Sequence, residues 1–177
     1  MEGTREFLSQ MLADRGETGI TECNERVEGR NVNATIVLRS DKSAAVVIEG
    51  AFPVATMRAI AQACGEDLHI ITVSDAGANS AMKRTFEHEP GVEHWRTSET
   101  LFNRMRSSMA PRIERVVKAA DVPREFPGGA GTMLQMHTTD FACRYMGCDV
   151  GDVISSRCEF GEDVKPFTQD RVIVSPQ

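Results

Sequence analysis

Apolar residues recur at strand and helix spacings in the N-terminal half of the chain. Residues 34–39 and 44–49 are two β-branched runs separated by a short polar turn, a pattern that predicts a β-hairpin. Between residues 54 and 64 the apolar positions follow helical spacing. Residues 68–73 are almost continuously apolar, which is typical of a strand buried on both faces. This order predicts a hairpin, a helix and a central strand.

Two further helices and one loop complete the pattern of this half. Apolar residues at i, i+1, i+4 and i+5 predict a first helix over residues 5–15. Ser80 is in position to cap another helix that runs to Phe86. The polar stretch of residues 17–33 contains two glycines and is predicted to be a loop.

Shorter elements fill the C-terminal half. Residues 92–96 and 133–137 are predicted to be short strands. Glu99 opens a predicted helix, and Pro111 stands where a helix-starting proline belongs, so residues 112–119 are also predicted to be helical. Residues 122–132 are predicted to be irregular and residues 140–146 to be helical. Residues 152–160 and 170–174 are predicted to pair as a hairpin.

These elements predict an α/β (α+β) protein of two small domains. A turn at residues 89–91 separates them, so residues 1–91 form the N-terminal domain and residues 92–177 the C-terminal domain. The first is predicted to be a helix–hairpin–helix–strand–helix unit. The second is predicted to be a mixed β-sheet with short helices.

The composition is that of a soluble globular protein, with 41% hydrophobic and 26% charged residues. No apolar run approaches the ~20 residues of a membrane span, and the first residues are too polar for a signal peptide. Five scattered cysteines without a Cys-x-x-Cys pair predict reduced thiols in an intracellular compartment.

The net charge of −6 is unevenly distributed along the chain. Residues 1–93 carry 9 basic and 15 acidic side chains, whereas residues 96–124 carry seven basic and three acidic ones. Such an acidic chain is not expected to bind nucleic acid tightly by itself. The basic run is interpreted either as a solvated helix face or as a small surface for phosphates or an acidic partner.

The segment from Asp140 to Ile154 has the most distinctive spacing in the chain. Asp140 is predicted to cap a short helix, Gly147 to end it at positive φ, and Gly151 to complete a turn into a strand. This segment resembles the signature of the fifth subunit shared by eukaryotic nuclear RNA polymerases, a family that also has an archaeal branch. The matching positions are Asp140, Arg144, Tyr145, Gly147, Gly151, Val153 and Ile154. Phe141 replaces a proline of the family, and Asp149-Val150 replaces its Lys-Arg pair.

The resemblance extends over most of the chain, in the order of the eukaryotic form of the family. It implies a non-catalytic subunit of a DNA-directed RNA polymerase, whose C-terminal domain docks on the largest subunit and whose N-terminal domain forms part of the jaw beside downstream duplex DNA. The implied subunit-interface residues are Arg144, Tyr145, Gly147 and Gly151. The implied residues near downstream DNA are Asn79, Ser80, Lys83 and Arg84, where the family's proline is absent.

The resemblance also implies the setting of the protein. Its partners would be the polymerase subunits and, weakly and without sequence preference, duplex DNA. Its location would be the nucleus, or the host cytoplasm or virion for a virus-encoded form. No catalytic residue, cofactor or metal is predicted.

Two alternatives to the polymerase subunit stay open from the sequence. A divergent Mg²⁺-dependent nuclease would need an acid-x-Lys pair on the hairpin, but Glu49 is followed by Ala51 where the lysine should stand. Asp41 would be its other acidic residue. A free-standing adaptor protein is the third class. The Arg144-Tyr145 pair can likewise pack internally or anchor an interface, where both residue types are enriched.

Overall fold

The computed structural model describes residues 2–29, 32–50, 54–65, 67–76, 91–108, 110–159 and 165–176, with the side chains of residues 54 and 55 left aside. The chain divides into two units, Met1–Asn103 and Arg104–Gln177. Each contains one mixed β-sheet with short helices, so the predicted α+β class is confirmed. The predicted helix at residues 80–86 lies outside the described residues. No helix within the described ranges is long and apolar enough to span a membrane.

The N-terminal unit is built on a five-stranded sheet in the order β1-β2-β3-β4-β5. Its strands are β1 (Thr21–Arg26), β2 (Ala34–Arg39), β3 (Ser43–Ile48), β4 (His69–Ser74) and β5 (Val92–Arg96). Its described helices are α1 (Glu2–Asp14), α2 (Val54–Cys64) and α3 (Thr97–Thr100). The β2–β3 hairpin is antiparallel as predicted, and β3, β4 and β5 run parallel.

Helices cover both faces of this sheet. Ile36, Val46 and Ile70 share a buried cluster with Met57 and Ile60 of α2. Residues that alternate with these along the strands point to the opposite face. There, Trp95 of β5 meets Phe7 of α1 edge to face, with ring centroids 5.3 Å apart. The apolar run of β4 is thus buried on both sides, as its sequence predicts.

A buried ion cluster connects α1 to β4 and β5. Arg15 places Nη2 at 3.0 and 2.9 Å from the two carboxylate oxygens of Glu93, while Trp95 Nε1 donates to Oε1 at 2.6 Å. His69 Nε2 lies 3.4 Å from Oε2. The side chain of Arg15 is 7% exposed and that of Glu93 is 20% exposed. Burial raises the pKa of Glu93, but the charge of Arg15 and the hydrogen bonds from His69 and Trp95 outweigh it and lower the pKa to about 2.

The C-terminal unit is a four-stranded sheet in the order β6-β8-β9-β7. Its strands are β6 (Arg112–Val117), β7 (Leu134–His137), β8 (Val153–Cys158) and β9 (Phe167–Val174). Its helices are α4 (Val122–Glu125) and α5 (Phe141–Met146), with 3-10 turns at Arg104–Arg106 and Ala130–Thr132. Strands β8 and β9 form the predicted antiparallel hairpin, and β7 runs parallel to β9.

Both faces of this smaller sheet are also covered. Val117, Val153 and Val172 pack with Val122 of α4 on one face. Ile154 and Ile173, the next residues along β8 and β9, pack with Cys143 of α5 on the other.

Four predicted elements differ from the structure. Residues 122–132, expected to be irregular, contain α4 and the 3-10 turn at Ala130–Thr132. Residues 21–26, expected to be loop, form β1. This polar edge strand is held by backbone pairing with β2 and not by buried side chains. Residues 112–117, expected to be helical, form β6. Pairing with β8 lets Ile113 and Val116 pack on the side of the sheet that α5 covers. The helix expected from Glu99 ends at Thr100, which is buried and hydrogen-bonded to Thr4, while the following Leu101 and Phe102 are exposed.

The observed division of the chain also differs from the predicted one. The predicted boundary lies at residue 91, whereas the first unit continues to Asn103. Strand β5 pairs with β4 and completes the N-terminal sheet. The strand at residues 92–96 was therefore predicted correctly but assigned to the other domain.

The Glu93 cluster predicts a large effect of Glu93→Gln. The variant removes the charge that Arg15 faces, and breaking a buried ion pair on one side costs about 3 kcal/mol. We expect urea unfolding to show a loss of that size in the free energy of unfolding. The matched control is Glu25→Gln in the exposed Glu25–Arg39 pair, where a far smaller loss is expected. Equal losses in the two variants would contradict the stabilising role of the cluster.

The same cluster predicts an acid-labile part of the stability. The pKa of Glu93 is lowered from 4.5 to about 2 on folding, so its contribution is fully present above pH 4.5 and is lost as the pH falls toward 2. The contribution is roughly 2–3 kcal/mol after allowance for its partial exposure. Urea unfolding at several pH values should show the gap between wild type and Glu93→Gln closing over this interval. A gap that stays constant down to pH 2 would contradict the assignment.

Candidate assembly motif

Helix α5 ends in a motif that fixes the direction of the chain after it. Gly147 adopts φ 63° and ψ 45°, the left-handed conformation that glycine favours. The Gly147 N–H donates to the Arg144 carbonyl at 3.2 Å, and the Cys148 N–H donates to the Cys143 carbonyl at 3.1 Å. This pair of bonds defines a Schellman motif. The predicted glycine stop of the helix is confirmed.

Asp140 occupies the N-cap position of α5, but its side chain does not cap the helix. Its backbone carbonyl accepts the first helical hydrogen bond from the Arg144 N–H at 2.9 Å. Its carboxylate accepts a hydrogen bond from the His137 N–H at 3.0 Å. Asp140 therefore links the end of β7 to the helix start, a role that the cap prediction missed.

The carboxylate of Asp152 holds the turn after α5 in place. Asp152 is 2% exposed. Its Oδ1 accepts from the Ala119 N–H at 2.9 Å, and its Oδ2 accepts from Lys118 Nζ at 2.8 Å and the Asp149 N–H at 3.0 Å. These bonds tie together the end of β6, the turn and the start of β8. Burial lowers the pKa of Lys118, but the hydrogen bond to Asp152 and its charge outweigh burial, so the pKa is raised.

The predicted interface residues have different environments. Tyr145 is fully buried and lies 6.0 Å from the ring of Phe141 in a stacked arrangement. It therefore packs inside the fold, and this conformation does not present it to a partner. Arg144 is half-buried, Gly147 is exposed, and Gly151 is half-buried. Of the four, Gly147 is the most accessible.

The exposed part of the motif is its turn. The side chain of Asp149 is 87% exposed, and Val150 is 55% exposed. Gly151 adopts φ 92°, and a Cβ added to it would lie 3.1 Å from the Cβ of Ala119. Strand β8 then begins with Val153 and Ile154, which are buried on opposite faces of the sheet.

Two cysteines pack under the end of α5. Cys143 is fully buried and Cys148 half-buried, and they occupy the two positions whose side chains often touch in a Schellman motif. Cys143 Sγ donates to the Cys148 carbonyl at 3.6 Å. The neighbouring Cys143 side chain and burial both raise the pKa of the Cys148 thiol. Both cysteines pack in the cluster that α5 forms with β8 and β9.

Three side chains of the basic run form ion pairs, and two of them share the carboxylate of Glu125. Arg115 pairs with Glu125 at 3.0 Å, Lys118 with Asp152 at 2.8 Å, and Arg124 with Glu125 at 3.4 Å. Arg104 lies over the ring of Phe141, 5.2 Å from its centroid. Because these residues lie on β6, just after it, on α4 and on a 3-10 turn, the interpretation as one helix face is wrong, whereas the interpretation as a surface for phosphates or an acidic partner stays a prediction.

The N-terminal unit contains the candidate residues for DNA contact and for nuclease chemistry. Asn79, Ser80, Lys83 and Arg84 lie outside the described residues. Asp41, in the β2–β3 turn, accepts hydrogen bonds from Thr18 N at 2.8 Å and Thr18 Oγ1 at 3.0 Å. Glu49, which binds Asn33, follows the other end of β3, so strand geometry separates the two carboxylates by roughly 20 Å. Within the described ranges, no group of three or more His, Cys, Asp or Glu side chains could hold a metal.

Two important charged groups escaped the sequence analysis. Asp152 was predicted only to begin a strand, and Glu93 only to lie in one. Ala119 and Lys118, which bind Asp152, lie 33 and 34 residues away in the chain, and Arg15, which binds Glu93, lies 78 residues away. The nearby partners Asp149 and Trp95 give no sequence signal of their own.

The scan against protein-family models finds no match for this chain, and the search of the curated proteins finds no similar sequence.

The turn geometry predicts different effects of alanine at two glycines. Gly151→Ala combines a positive φ with a contact at 3.1 Å, so we expect a loss of about 1–3 kcal/mol in the free energy of unfolding. Gly131→Ala is the matched control, because its added Cβ meets no atom within 4 Å, and its expected change is within about 0.5 kcal/mol. Urea unfolding checks both. Equal effects would contradict the constraint at Gly151.

Proposed function

We propose that this chain is a non-catalytic subunit of a multisubunit DNA-directed RNA polymerase, docking through its C-terminal unit on the largest subunit. The observation that carries the proposal is the segment from Asp140 to Ile154. Its positions shared with the polymerase family include the N-cap position, the left-handed Gly147, the positive-φ Gly151 and the two buried residues that start β8. These shared positions determine the path of the backbone. Their presence supports the proposal that this segment has the same backbone conformation as the assembly segment of the polymerase family.

The exposed turn supports a protein partner rather than a phosphate. The family's Lys-Arg pair is replaced by Asp149 and Val150, which are both exposed. Asp149 lies 3.6 Å from Lys118 Nζ, and Asp152 also neutralises that lysine. The turn therefore offers an apolar side chain beside a paired cation. Such a surface suits a protein contact better than a nucleic acid backbone.

The N-terminal unit has a geometric role in this proposal. It forms part of the jaw beside downstream duplex DNA and positions the duplex through shape and a few phosphate contacts, without reading sequence. Asn79, Ser80, Lys83 and Arg84 are the proposed residues near DNA. The excess of acidic residues in positions 1–93 limits this contact to a weak one. Nucleotide addition belongs to the large subunits, in the nucleus or in a viral transcription complex.

The separation of Asp41 and Glu49 does not favour the nuclease alternative. A two-carboxylate Mg²⁺ site needs both groups around one ion. These carboxylates lie beyond opposite ends of β3 and each binds a neighbouring side chain. No observation favours the adaptor over the polymerase subunit.

The assembly role is tested by affinity purification of the tagged chain from its native source. We expect the large polymerase subunits to co-purify stoichiometrically with the wild type. Val150→Asp, which introduces a charge into the exposed turn, should reduce their recovery at least about tenfold, as loss of an interface contact of 1.4 kcal/mol does. Leu101→Asp is the matched control, because Leu101 is 67% exposed but lies in the N-terminal unit.

Urea unfolding of both variants separates a binding defect from a folding defect, because exposed substitutions change stability by only about 0.5 kcal/mol. Absence of the large polymerase subunits from the wild-type preparation would contradict the proposal and leave the adaptor class. Mg²⁺-dependent cleavage of nucleic acid by the purified chain would support the nuclease instead.

A further inference from the structure

Helix α5 ends with a cysteine on each side of its left-handed glycine. The Cys148 N–H donates to the Cys143 carbonyl at 3.1 Å, and Cys143 Sγ donates to the Cys148 carbonyl at 3.6 Å. Both side chains pack in the cluster that α5 forms with β8 and β9. A Schellman motif brings the side chains at these two positions into contact. The end of the helix therefore holds the two free thiols next to each other.

The two thiols differ in their access to solvent. Cys143 is fully buried, whereas Cys148 is half-buried and precedes Asp149, whose side chain is 87% exposed. A small oxidant can therefore reach Cys148 first, with the thiol of Cys143 directly behind it. An accessible sulfur with a second thiol beside it is the arrangement in which a mixed disulfide is resolved into a protein disulfide.

The backbone geometry suits a bond between these two sulfurs. Disulfides join residues whose Cα atoms are usually about 4.4–6.8 Å apart. Cys143 and Cys148 are separated by a single backbone hydrogen bond, which keeps their main chains at a compatible distance. The other three cysteines are placed elsewhere in the fold: Cys23 and Cys64 pack in the cluster between α2 and the N-terminal sheet, and Cys158 ends β8.

We propose that Cys143 and Cys148 form a redox site, which is closed to a disulfide by a low-molecular-weight disulfide such as oxidised glutathione. The Cys148 thiolate attacks one sulfur of the small disulfide, so a mixed disulfide forms and one glutathione thiolate leaves. The Cys143 thiol then loses its proton and attacks the Cys148 sulfur, which releases the second glutathione. Two protein thiols are thus oxidised by two electrons while one glutathione disulfide is reduced to two thiols.

The site has a predictable rate and a predictable effect. Its neighbour Cys143 and burial raise the pKa of the Cys148 thiol, so the attacking thiolate is scarce at neutral pH and the reaction accelerates as the pH rises. The disulfide closes a loop across Gly147, just before the exposed turn. Because a cross-link restricts the unfolded chain, the oxidised protein should unfold at a higher urea concentration than the reduced one. Neither effect depends on whether the chain joins a polymerase.

Peptide mass spectrometry of the folded full chain after incubation with oxidised glutathione tests the proposal. Trypsin cleaves after Lys and Arg, and the five cysteines lie in five different tryptic peptides, because Arg144 separates Cys143 from Cys148. The remaining thiols are alkylated in urea before digestion without reductant. We expect the peptide that ends at Arg144 to be joined by a disulfide to the peptide that begins at Tyr145, and the Cys158 peptide to be alkylated.

Three variants test the order of the two steps. Cys143→Ser removes the resolving thiol, so glutathione should remain attached to Cys148. Cys148→Ser removes the accessible sulfur, so Cys143 should be recovered alkylated and oxidation should no longer shift the urea midpoint. Cys64→Ser is the matched control, because it removes a buried cysteine outside the pair and should leave formation of the disulfide unchanged.

Recovery of Cys143 and Cys148 only in alkylated, unlinked peptides would overturn the proposal, and so would a link from either of them to Cys158. The same oxidation in concentrated urea is the control for the fold, and there we expect a mixture of cysteine pairs. Equal selectivity in urea would overturn the structural assignment, because closeness in sequence would then pair the sulfurs without the helix end. None of these results bears on recovery of the large polymerase subunits.

Discussion

The C-terminal unit depends on the buried carboxylate of Asp152. A buried charge is stable only when it is paired and hydrogen-bonded, and here an ammonium and two backbone N–H groups meet both needs. Its partners come from the end of β6 and from the turn after α5. The carboxylate therefore fixes the positions of β6, this turn and the start of β8 relative to one another. The turn is therefore held rigidly at the surface. A rigid, preorganised surface loses little conformational entropy when a partner binds.

The glycines of the motif are spaced as this fixed turn requires. Gly147 and Gly151 stand at the two positive-φ positions of the turn, and Tyr145 of α5 is fully buried. These residues define a backbone path, whereas Val150 and Asp149 lie exposed at its surface. The proposed polymerase contact is therefore assigned to the side chains between the glycines. The proposal therefore places partner recognition at the residues that depart most from the family signature.

Local patterns predicted the elements that local interactions determine. The β2–β3 hairpin, α1, α2 and α5 have clear turn, period or glycine signals, and all four are present. Strand β1 has no apolar alternation, and β6 follows a proline that equally suits a helix, so only pairing with β2 and β8 defines them. For the candidate site, the sequence located the helix, glycines and turn, but it missed Asp152 and left the burial of Tyr145 open. Contacts between residues distant in the chain determine both features.

Native mass spectrometry of the polymerase purified from the native source tests most directly the proposal that this chain is an integral polymerase subunit. We expect a complex that contains the large polymerase subunits and a fixed stoichiometric amount of this chain. We also expect the chain to stay in the complex when salt is raised enough to remove weakly bound factors. An intact, active polymerase that lacks this chain would contradict the proposal.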